Sequence, residues 1–134
     1  MEYTLLNNGI KIPMLGLGTY RIGKTDNDVY RAIRTALDVG YRHIDTATLY
    51  GNEAPIGKAI RESGIPREEI FVTTKLWGDD VMKEAVPQAF DRSMQLLNIG
   101  YIDLYLIHWP VKGKLVSTWR QMEKIYASGK AKAI

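Results

Sequence analysis

The chain has 134 residues, of which 46% are apolar and 25% charged, the balance of a soluble globular protein with room for one domain. A net charge of +3, with Lys and Arg scattered along the chain, argues against nucleic acid or a membrane surface as partner. With no cysteine and only His43 and His108, disulfides, thiol catalysis, thiolate zinc sites and His-rich metal sites drop out, so no metal is expected.

The opening MEYTLLNNGI lacks a basic-then-apolar signal pattern. No apolar run approaches the ~20 residues of a membrane span, and a cytoplasmic location is the expectation. Tyr3 to Leu6 and Ile10 to Ile12 flank Asn7-Asn8-Gly9, a hairpin signal read as a type I′ turn, and Pro13 ends it. Strand and helix then alternate. Met14 to Gly18 reads as a strand, and Asp26 or a neighbour caps a helix whose inner face is Val29, Ile33, Ala36 and Leu37. Gly40 stops that helix, Arg42 to Asp45 is a strand, and Asn52 to Ser63 is a helix with Ile56 and Ile60 inward.

Ile70 to Lys75 is the next strand. The following helix carries Val86, Ala89, Phe90, Ser93 and Leu97, with Pro87 fitting only its first turn or a kink. Tyr101 to Ile107 is a strand, and Leu115, Trp119, Met122 and Tyr126 give the last helix an apolar stripe that Gly129 closes. Lys130 to Ile134 reads as the opening of a fifth strand. The polar residues that end successive strands, Thr19, Asp45, Lys75 and His108, lie 26, 30 and 33 residues apart. That is βα-unit spacing, compatible with a doubly wound sheet or a (β/α)8 barrel. The hairpin and the polar strand ends favour the barrel. A whole one takes about 250 residues, so residues 1–134 correspond to its N-terminal half, four βα units plus the start of strand five.

Carboxyl ends of parallel strands share one face, so Asp45, Tyr50, Lys75 and His108 are expected to converge. Singly, each has a plain reading: a turn-capping carboxylate, a surface ring, a solvated cation and a structural histidine. Jointly they form a catalytic set. A phenol that titrates near ~10 is a poor acid at neutral pH, and a neighbouring ammonium favours its phenolate. Asp45 would hold Lys75 charged, and His108 would donate a hydrogen bond to a carbonyl oxygen. A hydride for carbonyl reduction must come from a cofactor, because no side chain supplies one. His43 is taken as structural, its ring turned away from that site.

The segments GLGTYR, VGYRHIDTATLYGNE, FVTTKLW and DLYLIHWP closely resemble the aldo-keto reductase superfamily of NADPH-dependent (β/α)8 barrels. The resemblance extends from the hairpin to Ile134. It implies that Tyr50 is the proton donor, tuned by Lys75 and Asp45, and that His108 orients the carbonyl. It also implies that Gly18, Thr19, Tyr20 and Asp45 border the nicotinamide of NADPH. Tyr20, Leu49, Trp77, His108 and Trp109 would line an apolar pocket for an aldehyde or ketone. The adenine and 2′-phosphate anchors of the family belong to strands past Ile134.

Two other readings stand beside this one. A catalytically silent half-barrel would associate with itself or with a complementing C-terminal half through its open sheet edges. Alternatively, Lys75 would form a Schiff base, which a protonating Asp45 opposes. On the half-barrel reading, an inward face that includes Ile44, Val72 and Leu106 is left uncovered.

Overall fold

The computed structural model describes residues 1–134. Strands β1 (Tyr3–Leu5) and β2 (Lys11–Pro13) pair antiparallel as a separate hairpin. Its turn is not type I′, which needs positive φ at both central residues. Gly9 alone has it, at 83°. The Gly9 amide donates to Leu6 O at 2.9 Å, and the Asn8 side chain accepts from the Ile10 amide at 3.2 Å. This is a three-residue loop, Asn7 to Gly9, closed by the Leu6 amide donating to Ile10 O at 2.9 Å and ending on one left-handed glycine. Asn8 also donates to Lys132 O at 2.9 Å, so the hairpin reaches from the start of the chain to its last residues.

A four-stranded parallel sheet runs β3 (Leu17–Gly18), β4 (His43–Asp45), β5 (Phe71–Leu76), β6 (Leu104–Ile107), in sequence order. Only Leu17 and Gly18 of the expected first strand pair with β4. The stretch expected as Tyr101 to Ile107 is interrupted, with Ile102 bridging Ala131 and regular pairing from Leu104. The Tyr105 amide donates to Ala133 O at 3.0 Å, so residues 131–133 lie along the β6 edge as a fifth strand would.

Helices α1 (Asp26–Asp38), α2 (Glu53–Arg61), α4 (Val86–Leu97) and α5 (Leu115–Ala127) follow the strands. A short α3 (Gly78–Met82), not expected from the sequence, precedes α4. The cap of α1 is Thr25, the neighbour of Asp26. Its hydroxyl accepts from the Asp28 amide, and the Asp28 carboxylate accepts from the Thr25 amide. Pro87 sits in the first turn of α4, where its missing N–H is harmless. On α1, α2 and α4 the expected inner faces are buried, each fully covered Val, Leu or Ile contributing roughly 1.5–3 kcal/mol. The α5 stripe differs. Thr118, Met122 and Ile125 are buried, while Leu115, Trp119 and Tyr126 are exposed.

Period-two alternation sorts the sheet into two faces. Ile44, Val72, Thr74, Leu76 and Tyr105 are fully buried in the layer between sheet and helices. The expectation of Ile44 and Val72 on an uncovered inner face is therefore wrong. That face carries His43, Asp45, Thr73, Lys75, Leu104 and Leu106 by register. His43 thus shares the face of Asp45, because two residues along a strand restore the side. Its ring nitrogen Nε2 lies 3.0 Å from Thr73 Oγ1, and burial holds its pKa below the ordinary histidine value.

Two tight contacts fix the frame. A Cβ on Gly57 would lie 2.0 Å from the Leu97 carbonyl oxygen, so only glycine lets α2 approach the end of α4. Below the sheet, Arg67 donates to the carbonyls of Ile99, Ile70 and Tyr101 and to Asp103 Oδ2. That fork ties together the entries to β5 and β6.

Candidate active site

Asp45 is the last residue of β4, Lys75 the fifth of β5, and His108 directly follows β6. The parallel register brings all three to the same end of the sheet. Tyr50 closes a short 3₁₀ turn (Thr48–Tyr50) that leaves β4, and Gly51, left-handed at φ 64°, redirects the chain into α2.

Lys75 Nζ donates to Asp45 Oδ1 at 2.5 Å and to Thr46 O at 2.9 Å. The same ammonium lies 5.2 Å from the centre of the Tyr50 ring. The Tyr50 ring meets His108 at 5.6 Å, nearly edge-on at 82°, and Tyr20 at 5.1 Å. Asp45, Tyr50, Lys75 and His108 therefore form one cluster. A cation held by a carboxylate beside a phenol, with an imidazole against the same phenol, is an arrangement able to move a proton.

Burial lowers the His108 pKa from the ordinary histidine value, the Lys75 cation lowers it further, and Asp45 partly opposes both. The ring is neutral at neutral pH, with one N–H to donate. Its Nδ1 is buried and meets no protein partner.

Around this cluster stand aromatic rings. Trp77 packs edge-on to His108 at 5.3 Å, and Trp109 stacks on it at 6.4 Å and 10°. Trp109 is 63% exposed and Tyr20 57%, so both rings are open to solvent beside the cluster. Leu49 is exposed on the turn beside Tyr50. Gly18 pairs in register with Asp45, and no atom lies within 4 Å of where its Cβ would be. Thr19 is placed differently from a lining residue. It is fully buried, and its hydroxyl donates to Asp45 O at 2.9 Å, so it acts on the site through the backbone of Asp45.

Three further residues support the site. The Thr46 hydroxyl donates to Asn52 Oδ1 at 2.7 Å, and Asn52 Nδ2 donates to Thr19 O at 2.9 Å. Glu53 is buried, accepting from Thr74 at 2.6 Å and Ser93 at 3.2 Å, with burial raising its pKa and those hydroxyls opposing the rise. The sequence carries a signal for Glu53, which shares the i, i+3, i+4, i+7 stripe of Ile56, Gly57 and Ile60. Thr46 and Asn52 have no comparable signal. No group of His, Cys, Asp or Glu is placed to hold a metal ion, and no helix is long and apolar enough to cross a membrane.

Comparison with known proteins bears on the family and the fold. The family model described as the aldo/keto reductase family matches residues 14–134. A 9,11-endoperoxide prostaglandin H2 reductase of Trypanosoma cruzi (strain CL Brener) is 51% identical over 129 residues, covering 96% of this chain and 45% of that protein. A glyoxal reductase of Bacillus subtilis (strain 168) is 45% identical, over 96% of this chain and 46% of its own length. Among solved structures, an aldo-keto reductase from a Medee basin deep-sea metagenome library superposes with a TM-score of 0.91 at 51% identity, over 96% of this chain and 47% of that one. A Bombyx mori aldo-keto reductase in complex with NADP gives 0.89 at 38% identity, over 98% and 48%. The chain spans about half the length of the curated relatives it matches, and its four-stranded parallel sheet with outer helices is half of a (β/α)8 barrel. The chain belongs to the aldo/keto reductase family.

Proposed function

We propose that this chain carries the acid–base machinery of an NADPH-dependent reductase of aldehydes and ketones. The observation that supports it is the convergence of Lys75 Nζ and the His108 ring on Tyr50, at 5.2 and 5.6 Å. The exposed Tyr20 ring and the bare backbone of Gly18 fit the flat nicotinamide end of the cofactor. When bound, that ring supplies the hydride.

Tyr50 gives its hydroxyl proton to the carbonyl oxygen, so that the reduced product leaves as an alcohol. The phenolate left behind faces the Lys75 ammonium, whose charge Asp45 and the Thr46 carbonyl hold in place. His108, neutral and with one N–H, donates to the same carbonyl oxygen and orients it. Trp77, Trp109, Tyr20 and Leu49 form the apolar wall of the substrate pocket and favour aromatic or aliphatic carbonyls over highly charged sugars. The glyoxal reductase among the relatives and the NADP held by the Bombyx mori neighbour support a small carbonyl substrate and this cofactor. The inner sheet face, with Leu104 and Leu106 part-exposed, is assigned to a complementing half or a second copy.

The test is to titrate the chain with NADPH while following tryptophan fluorescence, and to assay aldehyde reduction with and without the C-terminal half of a relative. Quenching through Trp77 and Trp109, with turnover in the complemented protein, is the expected result. A complemented, folded barrel that neither quenches nor turns over would overturn the proposal.

A further inference from the structure

Asn52 occupies the N-cap position of α2, where an Asn side chain ordinarily accepts a hydrogen bond from the first helical turn, worth about 1 kcal/mol. Here it makes no such bond. The residue is 6% exposed, and its side chain turns back across the base of the loop that carries Tyr50. Its Oδ1 accepts from the Thr46 hydroxyl at 2.7 Å, and its Nδ2 donates to the Thr19 carbonyl at 2.9 Å.

The first of these bonds joins the two ends of the segment 46–52, closing a loop with Tyr50 inside it. Thr46 is at the same time the residue whose carbonyl receives Lys75 Nζ, at 2.9 Å. One threonine thus holds Lys75 by its backbone and Asn52 by its side chain. The second bond roots the loop on the residue after β3, whose own hydroxyl and amide both donate to Asp45 O, at 2.9 and 3.0 Å. Every polar atom of the Asn52 side chain therefore leads, through one residue, to Lys75 or Asp45.

We propose that Asn52 is a positioning residue, stapling the Tyr50 loop to the backbone that holds Lys75 and Asp45. It touches neither ligand nor reacting atom, and it acts by limiting where the phenol can sit. The inference rests on Tyr50 being the proton donor, as proposed above, but its test does not use turnover. Buried, with its oxygen and its nitrogen each hydrogen-bonded, the amide excludes the alternative geometries that a freely swinging loop would sample.

The experiment compares nuclear Overhauser contacts of the Tyr50 ring in the wild-type chain and in Asn52→Ser, each complemented with the C-terminal half of a relative. Serine is as good an N-cap as asparagine, so a capping role for Asn52 leaves this variant unchanged. Serine is too short to span both Thr46 and Thr19. The expected result is loss of the Tyr50–His108 and Tyr50–Tyr20 cross-peaks in Asn52→Ser, with the His43–Phe71 cross-peak kept as evidence of an intact sheet. Retention of both Tyr50 cross-peaks would overturn the proposal. Should Asn52→Ser not fold, Thr46→Val, which leaves the Asn52–Thr19 bond, decides on the same readout. If Tyr50→Phe proves fully active in the complemented protein, the donor assignment fails while these cross-peaks still report on the staple.

Discussion

Lys75 and Asp45 reach each other across adjacent parallel strands, Nζ to Oδ1 at 2.5 Å, with the lysine side chain 14% exposed and the aspartate 33%. The lysine is thereby fixed at its charged end, which also lies 5.2 Å from the centre of the Tyr50 ring. Replacing it leaves Asp45 half-buried without its cation and the Thr46 carbonyl without its donor. Lys75→Met is expected to destabilise the chain by about 1–3 kcal/mol and to remove carbonyl reduction in the complemented protein. Urea unfolding and a turnover assay check the two halves of this expectation, and unchanged turnover would detach Lys75 from the mechanism.

Tyr105 is fully buried between sheet and helices, stacked edge-on against Phe90 at 4.9 Å, and its hydroxyl meets no protein partner. Burial raises its pKa strongly, so the phenol stays neutral. Removing an unpaired polar atom at constant shape relieves a desolvation penalty of about 1–3 kcal/mol. Tyr105→Phe is expected to leave the midpoint of thermal unfolding unchanged or to raise it. A loss of several degrees would show that the hydroxyl is satisfied.

Stability should also depend on pH through His43 and His108. Burial depresses both in the folded state. Below the ordinary histidine value the unfolded chain takes up protons that the folded chain resists, so stability is full above that value and falls as pH drops through it. Denaturation midpoints are expected to decline from about pH 7 to about pH 5, less steeply in His43→Gln. Equal slopes for the two proteins would remove His43 from the effect.

The outline of the fold was legible because β4, β5 and β6 are apolar runs that stop at a polar residue, and Asp45, Lys75 and His108 mark those stops. What escaped was decided by packing. Leu115-Trp119-Met122-Tyr126 and Thr118-Met122-Ile125 both satisfy helical periodicity, and only the neighbouring α4 surface selects the second set. His43 was misplaced by parity, since the alternation that carries Asp45 to the inner face carries His43 there too. Asn52 reads as an ordinary N-cap, because nothing local distinguishes a side chain that caps its own helix from one that turns inward, whereas the helical stripe of Ile56, Gly57 and Ile60 does mark Glu53 as inward. The family resemblance sets Thr19 at the nicotinamide rim, and in the fold its hydroxyl is taken up by the Asp45 carbonyl.

Assembly follows from the exposed inner face. Uncovered apolar surface forfeits roughly 25 cal/mol per Å². Leu106 and Leu104 lie part-exposed there beside the polar residues. The isolated chain is expected to self-associate, and to become a compact one-to-one complex when a C-terminal half is supplied. Sedimentation equilibrium at a single 15.2 kDa species with cooperative unfolding would count against it.

The central claim is that Tyr50 supplies the proton, and one variant addresses it without disturbing the frame. Tyr50→Phe keeps the ring against Tyr20, His108 and Lys75 and removes only the hydroxyl. In the complemented protein, carbonyl reduction by this variant is to be measured together with NADPH binding by tryptophan quenching. The account requires turnover to be nearly abolished with NADPH affinity close to that of the unsubstituted protein. Turnover at the unsubstituted rate would contradict it and place the acid elsewhere.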